Sequence, residues 1–197
     1  MAHRNLFSFH HKRDVMAESV AAFEHGARCQ EQRHWDEAAI AYQQAIDLKH
    51  PNVALLATVS LGDVREKQGR LDEASTAFQR VIDSGHPDIA PMAAFGLGNL
   101  RREQGRLDEA AAAYQRAVDT NTPDAAPMAA VGLGDVRREQ GRLDEAAAAY
   151  QRAVDSNHPV AAPLAAVGLG DMRREPASQG KSLVDDDVSH DDRPGVV

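Results

Sequence analysis

Several residue types and patterns that would narrow the function are scarce in this chain of 197 residues. Aromatic residues make up only 5% of it, and cysteine occurs once, at Cys29. A single cysteine excludes an intramolecular disulfide framework and a cysteine metal cluster. No apolar run approaches the roughly 20 residues of a membrane-spanning helix, and no signal peptide with a long apolar stretch is visible. The sequence therefore predicts a cytoplasmic protein.

Positively charged residues are also fewer than negatively charged ones. The chain has 22 Lys and Arg against 30 Asp and Glu, which gives a formal net charge of −8. Binding to phosphate backbones needs a net basic surface, so we expect no nucleic-acid partner. The frequent use of Arg, Ala, Gly and Asp indicates a GC-rich bacterial genome.

The feature that the chain does have is a repeat. The segment Gly-Arg-Leu-Asp-Glu-Ala begins at Gly69, Gly105 and Gly141, so its copies are 36 residues apart. A more divergent copy, Arg33-His34-Trp35-Asp36-Glu37-Ala38, lies one period upstream. A fixed period of this length is typical of solenoid proteins.

Each unit is predicted to form a helix, a short turn and a second helix. In the second unit, Gly69 is expected to end the first helix because glycine readily takes a positive φ. Asp72 is then expected to cap the start of the second helix. Gly98 and Gly134 lie in the middle of predicted helices, where glycine costs roughly 1 kcal/mol against alanine, and this cost favours a close approach of a neighbouring helix.

These patterns predict an all-α solenoid of four helix–turn–helix repeats and one extra helix. The expected divisions are a flexible leader over residues 1–13 and a repeat domain over residues 14–175. Within that domain we place the repeats at about 14–50, 51–86, 87–122 and 123–158, with the extra helix at 159–175. Residues 176–197 carry five aspartates and few apolar groups, which is typical of a disordered acidic tail.

The small and large residues within each unit resemble the tetratricopeptide repeat (TPR). The period of 36 differs from the usual 34, with the two extra residues in the turns between units, and those turns resemble Sel1-like repeats. Arginine stands at a position where the family has tyrosine. The matching residues of the units are Gly26, Ala38, Tyr42 and Ala45; Leu61, Gly62, Gly69, Ala74 and Phe78; Leu97, Gly98, Gly105, Leu107, Ala110, Tyr114 and Ala117; and Leu133, Gly134, Gly141, Ala146, Tyr150 and Ala153.

The resemblance implies that the first helix of each unit lines a concave groove that binds a peptide or an extended segment. Carried onto this sequence, it places a candidate peptide-binding groove at Phe95, Asn99, Arg102, Val131, Asp135, Arg138, Val167, Asp171 and Arg174. Arginine side chains in such a groove suit the carboxylates of a partner. The alternative is that Asp135 pairs with Arg138, and Asp171 with Arg174, within their own helices, as surface ion pairs that contribute little.

No motif in the sequence indicates catalysis, and we expect no cofactor, no metal site and no enzymatic activity. His50, His86 and His158 each precede a proline at the same position of the repeat, so the repeat itself accounts for them. The Asp-Glu pairs at the starts of the second helices are interpreted as solvated residues of the first turn.

The sequence thus predicts a non-catalytic protein–protein interaction module, or scaffold, for a partner whose identity it does not give. An alternative is a self-assembling protein that forms a homo-oligomer. This alternative depends on the extra helix, which has the apolar pattern of the internal helices but no second helix after it to cover it, whereas terminal repeats normally need a polar outer face.

Overall fold

The computed structural model describes the backbone of residues 2–179 and the side chains of residues 14–174. Within this range all regular structure is helical, as the sequence predicts. The helices are α1 (Ala2–Glu31), α2 (Trp35–Asp47), α3 (Pro51–Lys67), α4 (Leu71–Asp83), α5 (Ile89–Glu103), α6 (Leu107–Asp119), α7 (Ala125–Glu139), α8 (Leu143–Asp155) and α9 (Ala161–Gln179). Consecutive helices pack against each other throughout, so the predicted all-α solenoid is confirmed.

Both ends of the helical array extend beyond the expected bounds. Helix α1 begins at Ala2 rather than near Asp14, so the backbone expected to be a flexible leader is helical from Ala2 onward. No proline or glycine lies between Ala2 and Gly26 to interrupt it. Helix α9 continues through Pro176 to Gln179, although an interior proline removes one backbone donor and its ring crowds the carbonyl group four residues earlier. The rest of the predicted acidic tail, residues 180–197, lies outside the described residues.

The turn inside each unit depends on glycine, as predicted. Gly69 has a φ of 74°, and Gly105 and Gly141 have φ values of 71° and 73°. The prediction that Asp72 caps the following helix is wrong. The N-cap position belongs to Arg70, which makes no side-chain cap hydrogen bond. Asp72 lies instead in the first turn, where its carboxylate still interacts favourably with the positive end of the helix dipole.

The core contains one aromatic ring per repeat, and three of the four rings lie between two glycines. A Cβ atom added to Gly98 would lie 2.5 Å from Tyr114, and one added to Gly132 would lie 2.6 Å from the same ring. Phe78 lies in the same way between Gly62 and Gly96, and Tyr150 between Gly134 and Gly168. All three rings are fully buried. The mid-helix glycines therefore allow the helices of adjacent repeats to close on one ring.

The contacts between repeats show which side of the array faces inward. The first helices of successive repeats contact one another, from α1 to α3 and onward to α9. The backbones of the second helices α2, α4, α6 and α8 lie too far apart for such contacts, although Arg152 on α8 donates to the carbonyl oxygen of Val118 on α6 at 3.0 Å. The first helices therefore lie closer together than the second helices, on the inner side of the array.

Candidate functional site

The residues predicted to form a groove lie on three first helices, α5, α7 and α9. They repeat at the same positions of each helix, so each trio follows one helical stripe. Their surroundings nevertheless differ from one helix to the next, for the apolar members as well as for the charged ones.

The apolar members become more exposed toward the end of the array. Phe95 is half-buried and its ring centroid lies 5.9 Å from that of Tyr114. Val131 is half-buried, whereas Val167 is 62% exposed. The most accessible apolar contact of the stripe is therefore on α9.

Arg102 is not available as a free cation, because carboxylates of the next repeat hold it. Its Nη1 donates to Asp135 Oδ2 at 2.9 Å, and its Nε and Nη2 both donate to Glu139 Oε1, at 2.8 and 2.5 Å. The side chains of Arg102, Asp135 and Glu139 are 35%, 27% and 38% exposed. This cluster joins α5 to α7 across the groove.

Arg138 and Arg174 differ from Arg102 in this respect. Arg138 is half-buried, and among the described side chains no carboxylate lies within 4.0 Å of it. The expected pairing of Asp135 with Arg138 does not form, since Asp135 turns to Arg102. The second expected pair does form, loosely: Arg174 Nη1 lies 3.9 Å from Asp171 Oδ1, and the arginine side chain is 86% exposed. Among the described residues, two cationic side chains therefore remain accessible, one on α7 and one on α9.

Two tyrosine hydroxyls reach the groove stripe from the second helices. Tyr114 donates to Asn99 Oδ1 at 2.7 Å, and Tyr150 donates to Asp135 Oδ1 at 2.6 Å. Burial raises the pKa of Tyr114 to about 12, and it raises the pKa of Tyr150 as well. Both hydroxyls therefore keep their protons and act as donors that fix Asn99 and Asp135.

The corresponding place in the second repeat is acidic and lacks such a donor. Asp63 occupies the position of Asn99 and Asp135, but the ring facing it is that of Phe78, which has no hydroxyl. Burial, and then the nearby negative charge of Glu66, raise the pKa of Asp63 to about 7. The stripe thus runs from an acidic end on α3 to the accessible arginines of α7 and α9.

Sequence reasoning missed the clustering of Arg102 with Asp135 and Glu139. The partners are 33 and 37 residues apart, which is close to one repeat of 36. Searching for opposite charges one repeat apart, in addition to those within a helix, would have identified it. The pairing that was expected, three residues apart within α7, loses because Asp135 also accepts the hydroxyl of Tyr150 from one side and Arg102 from the other.

The repeated histidines have a structural place in the turns. His86 Nδ1 accepts the backbone N–H groups of Asp88 and Ile89 at 3.3 and 3.4 Å, and His158 Nδ1 accepts those of Val160 and Ala161 at 3.3 and 3.1 Å. These groups lie at the starts of first helices, whose initial donors have no intrahelical partner.

In the described part of the chain, no helix is both long enough and apolar enough to cross a membrane.

Comparison with known proteins agrees with this architecture. The family model for the MalT-like TPR region matches residues 3–153. The fold is similar to that of BtubC from P. vanneervenii, with 13% identity, a TM-score of 0.65, and coverage of 98% of this chain and 93% of that one. It is also similar to aspartyl phosphate phosphatase F from Bacillus subtilis, with 13% identity and a TM-score of 0.68. There the match covers 83% of this chain and 48% of the other.

A third similar structure is a double mutant of MamA from RS-1, with 18% identity and a TM-score of 0.57. The match covers 71% of this chain and 75% of that one. No curated protein matches the sequence. At these identities, the solved structures show a shared fold.

Proposed function

The chain belongs to the family of the MalT-like TPR region, and from this premise we propose that it is a non-catalytic interaction module whose concave groove binds a peptide or helix. TPR-like repeats generally serve protein–protein interaction. The partner we propose carries acidic and apolar side chains. The observation that supports this choice is the pair of accessible arginines on α7 and α9.

The charge pattern limits where the partner's carboxylates bind. Arg102 already has two carboxylates within hydrogen-bond distance, so a partner gains little from it. Among the described side chains, Arg138 has no carboxylate within 4.0 Å and Arg174 has only the contact with Asp171 at 3.9 Å, and an arginine fork binds a carboxylate with two parallel hydrogen bonds. The exposed Val167 is the member of the same stripe that offers apolar area. Recognition is therefore proposed to be concentrated at the α7–α9 end of the groove.

Charge reversal at these two arginines tests the proposal. We expect the double variant Arg138→Glu/Arg174→Glu to weaken binding to a partner by about tenfold or more, because each reversal replaces an attraction by a repulsion. The partner is first isolated by affinity purification with the full chain and identified by mass spectrometry. Its affinity for purified wild-type and variant chains is then measured by titration calorimetry.

A matched control makes the same change of charge on the other side of the array. Arg80 on α4 and Arg116 on α6 are both exposed and lie on second helices. The variant Arg80→Glu/Arg116→Glu should bind within about twofold of wild type. Equal loss in both double variants would mean that only net charge matters, and unchanged binding in the groove variant would exclude the proposed site.

A further inference from the structure

Each internal repeat shows how a first helix of this chain receives the helix after it. A glycine lies beneath an aromatic ring of the second helix, as Gly134 does beneath Tyr150. The residue after that glycine accepts the hydroxyl where the ring is tyrosine, as Asp135 does. An arginine near the end of the first helix pairs with a glutamate in the first turn of the second, as Arg137 does with Glu145 at 3.3 Å.

These contacts recur with nearly constant geometry. The arginine–glutamate distance is 3.2 Å for Arg65 and Glu73, and 3.4 Å for Arg101 and Glu109. In every repeat the glutamate stands five residues before the ring, and in the second to fourth repeats both groups contact the first helix. The matching pairs along the chain are Glu37 and Tyr42, Glu73 and Phe78, Glu109 and Tyr114, and Glu145 and Tyr150.

Helix α9 carries the same three groups, but within the described residues no second helix meets them. A Cβ atom added to Gly170 would have no described atom outside its own helix within 4 Å. Asp171 is 47% exposed, and Arg173 is exposed without a carboxylate partner among the described side chains. Ala166 is exposed as well, whereas its counterparts Ala94 and Ala130 are each 1% exposed. We call Ala166, Gly170, Asp171 and Arg173 the α9 face.

The residues after α9 in the sequence do not match the groups that this face receives in the internal repeats. One period after Glu145 the chain has Lys181, and one period after Tyr150 it has Asp186. A lysine would repel Arg173, and an aspartate offers no ring to place over Gly170. The complementary segments of a second copy are already used, since Tyr42, Tyr114 and Tyr150 are at most 2% exposed in their own chain.

We propose that the α9 face docks an amphipathic helix of a partner protein that carries a glutamate and, five residues later, a tyrosine, with alanines on the same side. The tyrosine ring lies over Gly170, its hydroxyl donates to Asp171, and the glutamate pairs with Arg173. The partner helix thereby takes the place of a second helix and extends the array by half a repeat. This surface does not include the proposed groove contacts Arg138 and Val167, and it meets the groove stripe at Asp171, which lies 3.9 Å from Arg174.

A peptide from this chain serves as the probe, because α8 is itself such a helix. The synthetic peptide has the sequence of residues 141–158 with a fluorophore at its N-terminus, and its binding to the full chain is measured by fluorescence anisotropy. Isolated helices of this length are marginally stable in water, so a modest affinity is expected. The peptide with Tyr150→Ala should bind about tenfold more weakly, since a buried aromatic anchor carries much of such an interface.

Two changes in the chain test the face itself. Gly170→Leu fills the space meant for the ring and should weaken binding of the unmodified peptide by about tenfold or more, while Ala112→Leu, at an exposed site on α6, should leave it unchanged. Arg173→Glu should also weaken binding, and a peptide with Glu145→Arg should restore it. This charge exchange tests the proposal even if Gly170→Leu disturbs folding, which circular dichroism would reveal.

Four results would overturn the proposal. The first is unchanged peptide binding by both the Gly170→Leu and the Arg173→Glu chains. The second is loss of peptide binding in Arg138→Glu/Arg174→Glu but not in Arg173→Glu, which would place the peptide in the groove. The third is a dimer in light scattering that Gly170→Leu dissociates, which would make a second copy the occupant. The fourth is a peptide affinity at least tenfold higher in Leu183→Asp/Val184→Asp, which would make residues 180–197 the occupant.

Discussion

At the scale of single residues, glycines at equivalent positions of two repeats differ in whether an aromatic ring lies over them. Gly134 and Gly170 occupy equivalent positions of α7 and α9. A Cβ atom on Gly134 would lie 2.6 Å from the ring of Tyr150, while a Cβ atom on Gly170 would have no described atom outside its own helix within 4 Å. Tyr150 is fully buried, so its ring has little room to yield. An alanine at Gly134 would therefore favour the helix but crowd the ring, whereas an alanine at Gly170 would favour the helix without crowding a ring.

We accordingly expect opposite effects of alanine at the two sites. Gly170→Ala should raise the free energy of unfolding by up to about 1 kcal/mol, because alanine favours the helix. Gly134→Ala should lower it by about 1–2 kcal/mol, because overpacking exceeds that gain. Urea denaturation monitored by circular dichroism measures both. Stabilisation by Gly134→Ala would mean that the ring moves easily and that the glycine is not required for packing.

A second prediction at this scale concerns pH and Asp63. Its pKa of about 7 in the folded protein lies above the value of about 3.9 in an unfolded chain. Between these values the folded state binds more protons than the unfolded state, so this residue makes stability fall as pH rises from about 4 to 7. The fall is at most about 1.4 kcal/mol per pH unit, and it ends above pH 7. Two other titratable groups interact with Asp63: the charge of Lys67 lowers the pKa of Asp63, and burial together with the charge of Asp63 raises the pKa of Tyr42.

Two variants separate Asp63 from the other carboxylates. Asp63→Asn should remove this part of the pH dependence, which unfolding measured at pH 5 and pH 8 would detect as a smaller loss. Phe78→Tyr should also reduce it, because the new hydroxyl can donate to Asp63 as Tyr150 donates to Asp135 at 2.6 Å. If both variants lose as much stability between these pH values as wild type, Asp63 is ionised throughout.

At the scale of helices and turns, local patterns predicted much and contacts between repeats remained hidden. Gly69 could be placed in a turn because a positive φ is a property of one residue and its neighbours. The start of the following helix could not be predicted in the same way. Leu71 also fits a first helical position, so only the path of the backbone decides that the helix begins there and not after Asp72. The hydrogen bonds that His86 accepts at the start of α5 were not predicted, because histidine is not a usual capping residue.

The candidate groove shows the same division. Its stripe of positions can be derived from the helical period and the resemblance to TPR proteins. The ion pairs of each charged side chain cannot be derived in this way, because carboxylates of the next repeat hold Arg102, whereas no described carboxylate holds Arg138, although the two arginines stand at equivalent positions. The difference arises from the neighbouring first helix: α7 presents Asp135 and Glu139 to Arg102, whereas no carboxylate of α9 with a described side chain reaches Arg138. A sequence motif that is the same in both repeats carries no record of it.

At the scale of the whole molecule, a solenoid is stable only as far as its repeats are coupled to their neighbours. The backbones of the first helices approach one another along the inner side and those of the second helices do not, so polar links between first helices add to the coupling. Arg102 provides one such link, from α5 to both Asp135 and Glu139 on α7. Arg106 offers a matched comparison, since it pairs with Glu109 only three residues away, at 2.6 Å.

We therefore expect Arg102→Ala to change the cooperativity of unfolding and Arg106→Ala to leave it intact. Removing Arg102 leaves Asp135 and Glu139 facing each other without a cation, which should lower the free energy of unfolding by about 1 kcal/mol and weaken the coupling between the third and fourth repeats. Hydrogen exchange should then show faster opening of α7 and α8 than of α3 and α4. Removing Arg106 should cost less than about 0.5 kcal/mol, because an exposed local pair contributes little. Equal exchange profiles in the two variants would mean that apolar packing around the rings alone couples the repeats, and that the Arg102 cluster serves only to occupy that arginine in the groove.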